Sequence, residues 1–262
     1  MSRFARVGAM VLAVGAAVVV GAAPVEAQTT LRIATEGVYA PWSYKDARGN
    51  LVGWDIEIAS ALCAKMQAKC EIAAQDWDGI IPGLLAKKFD AIVAGMSMTP
   101  ARRERVAFTN KYKDVISTFV AKKGTITDTS PAGMKGKRIG VQRGASQRTW
   151  LESSGYDKSA TLVLYDTTRA VELDLLAGRI DAMIGNKATY FVDFMKKPEA
   201  ASYEFVGPEL RGGVLGEGAG IALRKEDTEL LARFDKAIAE IRADGTFDRI
   251  SAAYFPFKLV SD

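Results

Sequence analysis

The sequence predicts an α/β protein with parallel-dominated sheets, helices on both faces and a chain shared between two lobes. Three observations predict it. Short apolar strands alternate with helical segments, so β-α-β units repeat along the chain. Once an N-terminal export segment is removed, about 235 residues remain, enough for one large or two modest cores. Two loose stretches, one beginning near residue 122 and one near residue 207, interrupt the alternation.

The export segment comes first. Residues 1–28 open with Arg3 and Arg6, pass through an apolar run over 7–23, and reach the small-x-small tripeptide Val25-Glu26-Ala27. This is the layout of a secretory signal (residues 1–27) cut after Ala27. The competing reading is a retained anchor, but Pro24 and Glu26 end the run short of a full span. No cysteine stands at the cut to carry a lipid. The mature chain is expected in the periplasm.

Residues 31–35 alternate in polarity and read as a strand. Residues 42–44 and 51–53 flank Asp46-Ala47-Arg48-Gly49-Asn50, a hairpin turn. Residues 56–66 have helical apolar spacing, 70–74 return to a strand, 80–85 are helical and 90–93 form a buried strand. Thr99-Pro100 reads as an N-cap and first helical residue, opening a helix through Arg105. Strands are expected at 119–121, 138–141, 162–164 and 182–184. Helices are expected at 146–153, 170–177 and 187–195, then at 227–243 and 247–254. Ligands on such sheets bind beyond the strands' carboxyl ends.

Cys63 and Cys70 are seven residues apart. An even number in an exported chain reads as one disulfide, with two buried thiols as the alternative. A continuous helix would hold their Cα atoms about 10 Å apart, too far for a bond. The bond therefore needs the helix to stop near Gln67-Ala68, with Cys70 on the next strand.

Composition excludes several classes. The net charge of +4 falls to +3 when Arg3, Arg6 and Glu26 leave, and bases are interleaved with acids, which gives no support to nucleic-acid binding. There is no histidine, so a His-based triad is excluded, and the cysteines and carboxylates show no metal spacing. Neither a metal nor an organic cofactor is implied.

The loose stretches are Lys122-Lys123-Gly124 with 125–131, and the glycine-rich 207–220. They are either two exposed loops or the neighbourhood of two crossings. On the second reading residues 28–115 and 212–262 form one lobe and 116–211 the other.

Several segments carry a resemblance. They are Ile33-Ala34-Thr35-Glu36-Gly37-Val38-Tyr39-Ala40-Pro41-Trp42, Gly53-Trp54-Asp55-Ile56, the Cys63/Cys70 pair, Asp76-Trp77-Asp78-Gly79-Ile80-Ile81-Pro82 and Asp90-Ala91-Ile92. Ser97-Met98-Thr99-Pro100-Ala101-Arg102, Gly140-Val141-Gln142, Gly178-Arg179-Ile180-Asp181-Ala182, Leu223-Arg224-Lys225-Glu226-Asp227 and Asp244-Gly245-Thr246 follow. In this order they resemble the polar amino-acid family of bacterial periplasmic solute-binding proteins (family 3), including the lysine/arginine/ornithine-, histidine- and octopine/nopaline-binding proteins. The resemblance implies the periplasmic binding protein fold, two lobes joined by two hinge strands that close over a small amino-acid-type ligand. It implies a monomer that delivers the ligand to the membrane permease of an ABC importer.

The resemblance also assigns residues. Arg102 matches the arginine that grips the ligand's α-carboxylate, a role suited to a planar guanidinium fork. Ordinary surface arginines on a short helix are the competing reading for Arg102, Arg103 and Arg105. Ser97 adds a hydroxyl, whereas Ala94 and Gly95 stand where relatives have serines and keep only backbone contacts. Tyr39 and Trp77 match the aromatic pair around the ligand's side chain, while Trp42 and Trp54 read as core. Glu36 matches the acid that meets a distal ammonium or guanidinium, the main argument for a basic ligand. Gln142, Ala145, Ser146 and Gln147 come from the second lobe, where a helix N-terminus favours an anionic group.

Asn186 departs from the pattern, because the lysine/arginine- and histidine-binding relatives have an aspartate against the α-ammonium there. It is either a neutral acceptor doing the same job or an adaptation to a substituted α-nitrogen, as in opines. Free arginine, ornithine, lysine or histidine and their opine derivatives both stay open.

Two further classes compete. Relatives that are cyclohexadienyl dehydratases need a positioned proton donor; here Glu36 is the obvious candidate and position 186 holds an amide, so no catalytic residue is assigned and no enzyme is expected. Sensory ligand-binding domains continue into a membrane helix and signalling module. This sequence stops at Asp262, which leaves only a freely diffusing sensor.

Overall fold

In the computed structural model, which describes residues 30–260, the strands sort into two five-stranded sheets and a small three-stranded one. The export segment and its cut lie outside the described residues. The first part holds β1 (Thr30–Thr35), β2 (Val38–Tyr39), β3 (Ser43–Lys45), β4 (Leu51–Val52), α1 (Trp54–Lys65) and β5 (Lys69–Ala74). It continues through α2 (Trp77–Leu85), β6 (Ala91–Ile92), α3 (Pro100–Arg103) and β7 (Ala107–Phe108). The second part runs β8 (Ser117–Lys122), β9 (Arg138–Gln142), α4 (Ser146–Ser153), β10 (Thr161–Tyr165), α5 (Thr168–Leu176), β11 (Ala182–Asn186), α6 (Lys187–Val192) and β12 (Tyr203–Leu210). The chain returns through β13 (Ala222–Leu223) to α7 (Thr228–Ala243) and α8 (Thr246–Tyr254).

One sheet has the order β5-β1-β6-β13-β7, the other β10-β9-β11-β8-β12. Pairing is parallel through β5-β1-β6 and β10-β9-β11. β13 and β8 each run antiparallel to both neighbours. Each sheet is thus mixed, parallel only through its β-α-β part, and the reason is topological. The carboxyl ends of the other strands face the opposite sheet, and β8 and β13 are the strands by which the chain enters from that side. A strand that starts at the interface must run away from it.

Both sheets are buried on both faces, which is why helices cover both. In the first, Leu31 and Ile33 pack with α1, α7 and α8 through Ile58, Leu62, Phe234 and Phe247, while Ala34 and Ile92 pack with α2 through Ile80 and Leu84. In the second, Phe119, Ile139 and Ile184 pack with Leu151 of α4, and Val120 and Met183 with Val171 and Leu175 of α5. The alternation along each strand is the period-2 pattern of a pleated sheet.

Local chemistry sets the ends that matter for the site. α1 stops at Met66, Gln67 takes φ +53°, and Cys70 lands on β5, so the Cys63–Cys70 disulfide closes at a Cα–Cα distance of 6.2 Å. Thr99 caps α3, its Oγ1 accepting from Arg102 N at 3.2 Å, with Pro100 at the first turn. α3 ends at Arg103, so Arg105 is not on it. The expected helix 187–195 breaks at Asp193 into α6 and a separate 3-10 turn, Phe194–Lys196. β12 runs through Gly207-Pro208, which reads as loop in sequence; it lies at the sheet edge, where a missing N–H is tolerated. Among the described residues no helix is long and apolar enough to cross a membrane.

Candidate functional site

One cavity of about 40 Å³ lies between the carboxyl ends of the two sheets. From the first sheet's side it is lined by Glu36, Tyr39, Trp77, Ala94, Gly95, Ser97 and Arg102, and from the second by Gln142, Ala145, Ser146, Gln147 and Asn186. Every ligand residue that the sequence implied is therefore in one place. Val115, on the segment between the sheets, completes the wall. A larger cavity of about 680 Å³ opens beside it and shares Trp77, Arg102, Ala145 and Ser146.

The first side carries the charges. Glu36 follows β1, Ala94, Gly95 and Ser97 follow β6, and Arg102 stands on α3. Arg102 donates from Nη1 to Ser97 O and from Nη2 to Gly144 O, both at 3.0 Å, and its guanidinium lies 5.2 Å from the Trp77 ring centre. Loss of hydration lowers its pKa to about 10. Glu36 is only 4% exposed, and its Oε1 accepts from Gln142 Nε2 at 2.6 Å. Burial pushes Glu36 up to about 7, against the Gln142 hydrogen bond and with further repulsion from Asp55, Asp76 and Asp78. Among the described residues neither Glu36 nor Arg102 has an ion-pair partner. A small cavity with one cation and one carboxylate, neither neutralised, suits a ligand bearing both signs of charge.

Tyr39 and Trp77 are both half-buried on the wall. Tyr39 OH accepts from Thr189 Oγ1 at 3.0 Å, and burial raises its pKa. Trp42 and Trp54 are fully buried, as core residues are. The Trp42 indole still donates to Thr189 Oγ1 at 2.7 Å, across to α6.

The second side lines the cavity with neutral groups only. Gln142 ends β9 and also donates to Asp166 O at 3.1 Å. Ser146 and Gln147 open α4, and Gln147 Nε2 donates to Ser117 Oγ at 2.9 Å. Asn186 ends β11 and caps α6, its Oδ1 accepting from Ala188 N at 2.9 Å. With that oxygen engaged by the helix, the amide NH2 is the group left to face the cavity. The bonds Gln142–Glu36, Arg102–Gly144 and Trp42–Thr189, with the ion pair Arg143–Asp78 at 3.3 Å, hold the two sides against one another.

Sequence reasoning missed Val115, Thr189 and two buried charges behind the wall, Asp55 and Lys113. Thr189 and Val115 carry no local signal. Lys113 stands among Lys111, Tyr112 and Asp114, neighbours that give no sign of burial, and only tertiary packing buries it.

A family model described as bacterial extracellular solute-binding proteins, family 3, matches residues 31–257. The chain is 38% identical to the lysine/arginine/ornithine-binding periplasmic protein of Escherichia coli (strain K12), over 89% of this chain and 90% of that one. It is 32% identical to the octopine-binding periplasmic protein of Rhizobium meliloti, over 87% and 90%. Among solved structures, an ancestral arginine-binding protein bound to arginine is similar at TM-score 0.80 and 35% identity, covering 87% of this chain and 99% of that one. An ancestral amino acid-binding protein described as a precursor of cyclohexadienyl dehydratase is similar at TM-score 0.75 and 28% identity, covering 86% and 95%.

Proposed function

Because the chain belongs to the bacterial extracellular solute-binding proteins, family 3, we propose that it captures a basic amino acid or an opine derivative of one for an ABC importer. The observation that carries this reading is the pair of unneutralised charges, Arg102 and Glu36, in one cavity flanked by Tyr39 and Trp77. In this reading Arg102, with Ser97 and the α4 N-terminus at Ser146, holds the ligand's carboxylate, and Glu36 meets the cationic end of its side chain. Tyr39 and Trp77 flank the stem between. Gln142, Gln147 and Asn186 add hydrogen bonds when the lobes close, with residues 28–115 and 212–262 as one lobe and 116–211 as the other. Closure is a shift between two states, driven by the ligand's preference for the closed one.

The protein acts in the periplasm after a cut near Ala27, as a monomer without cofactor, and the closed form docks on the membrane permease. In this reading Glu36, which accepts from Gln142, serves binding and not turnover. Incubation with prephenate and arogenate is expected to yield no product. A thermal-shift screen of refolded mature protein tests the reading with arginine, ornithine, lysine, histidine, octopine, nopaline, glutamine and glutamate. A true ligand at a hundredfold excess over its Kd adds about 2.7 kcal/mol to the folded state. Stabilisation by basic ligands is expected, and silence across the panel overturns the proposal.

A further inference from the structure

Behind the cavity wall lies a second pair of charges. Lys113 is fully buried, with Nζ 3.0 Å from the Trp42 ring centre and 5.5 Å from that of Trp54. Asp55 is also buried, and its Oδ1 accepts from Tyr112 OH at 3.0 Å. Tyr112 OH in turn accepts from Gly95 N at 2.8 Å, so this network holds the cavity wall from behind. Among the described residues Lys113 Nζ and Asp55 Oδ2 have no hydrogen-bond partner and form no ion pair with one another. Two buried charges left incompletely paired are costly.

Gly95 separates them from the ligand space. A Cβ on Gly95 would lie 2.8 Å from Lys113 Nζ and 3.8 Å from Asp55 Oδ2. The ammonium therefore occupies the direction that a side chain at 95 would take, directly behind a residue of the cavity wall. Loss of hydration pulls the pKa of the Lys113 ammonium down to about 7, while the Asp55 carboxylate and the two indole faces favour its charged form.

The balance of charge follows. In their ionised forms, Arg102 and Lys113, in and immediately behind the wall, face Glu36 and Asp55, two of each sign. Of the outer acids that act on Glu36, Asp78 is paired with Arg143 at 3.3 Å and Asp76 is exposed. Asn186 on the cavity wall is neutral, and with its Oδ1 bonded to Ala188 N its NH2 is the group left to donate. A free basic amino acid carries one net positive charge and fits best where carboxylates are in excess. A basic amino acid with an extra carboxylate on its α-nitrogen has no net charge, and that carboxylate is an acceptor for an amide NH2.

We propose that Lys113 is a specificity-determining residue that acts through the side-chain-free Gly95 to favour a basic ligand with a second carboxylate over the free amino acid. The inference rests on the proposed function and names its ligand class. The electrostatic effect of one charge across a thin, poorly hydrated wall is of the order of tenfold or more in affinity.

The test is titration calorimetry of the mature protein with octopine and with L-arginine, on wild type, Lys113→Met and Asp55→Asn. Wild type is expected to bind octopine more tightly than arginine. Lys113→Met is expected to shift the ratio of the two affinities toward arginine by about tenfold, and Asp55→Asn to shift it the other way. A purely structural role would change both affinities together and leave the ratio fixed, which overturns the proposal. So does tighter binding of arginine by wild type, a result that needs no variant to fold. If neither compound binds wild type, this inference fails, and the functional reading is decided separately by the thermal-shift panel.

Discussion

The two sides of the cavity are built from different chemistry. The first side brings a guanidinium, a carboxylate and two aromatic faces, and hides Lys113 and Asp55 behind them. The second brings amides and hydroxyls with no charge. The difference reflects what each side must do. Full charges in a dry cavity are decisive for which ligand binds, while neutral donors and acceptors complete hydrogen bonds at modest individual strength. On the proposed reading, recognition is concentrated on the side that holds β1 and β6, and the side that holds β9 and β11 completes the ligand's hydrogen bonds.

The comparison breaks first at Arg102. Arg102→Ala is expected to weaken arginine binding by about 100-fold or more, since a buried ligand carboxylate loses its charged partner. Calorimetry should show that loss to be far larger than for any single change on the second side. If Gln147→Ala costs as much, the asymmetry is wrong.

Glu36 ranks next. Glu36→Gln is expected to weaken cationic ligands by about 10- to 100-fold and to leave glutamine binding nearly unchanged. Its pH dependence sharpens the point. In the ligand-free protein Glu36 is held at about 7, above its ordinary value. The folded state therefore favours the proton, and Glu36 costs the ligand-free fold stability as pH rises from about 4.5 to about 7. A cationic ligand favours the ionised form, so binding expels that proton below pH 7. Arginine affinity should fall about tenfold from pH 8 to pH 6 in wild type and stay level in Glu36→Gln.

Changes on the second side are expected to be smaller. Gln142→Ala should cost about fivefold in affinity at pH 8. The loss should grow at pH 6.5, because the Gln142 hydrogen bond holds the Glu36 pKa down. Smallest for binding, though not for stability, is the disulfide. Reducing Cys63–Cys70 should cost about 2–3 kcal/mol by chemical denaturation and leave affinity nearly intact, since the bond closes a short loop away from the cavity.

The same division decides what could be read from sequence. The α3 start was legible because Thr99-Pro100 is a local capping signal, and the α1 stop because a Cys63–Cys70 bond demands it. The reversed β8 and β13 were not, because strand direction follows from where the chain crosses between sheets. Arg102 looks like one of several arginines around a short helix, and only the family resemblance singled it out. The role of Asn186 as cap of α6, which commits its oxygen, needed the β11–α6 junction in three dimensions. Lys113 was hidden most completely, since a lysine flanked by Lys111 and Asp114 gives no sign that it packs against two tryptophans.

The most direct test of the central claim is calorimetry of wild-type protein with arginine, citrulline and arginine amide. Citrulline keeps the shape but loses the side-chain charge proposed to meet Glu36, and the amide loses the carboxylate proposed to meet Arg102. The account predicts that each binds about tenfold or more weakly than arginine. Equal affinity for all three would contradict it.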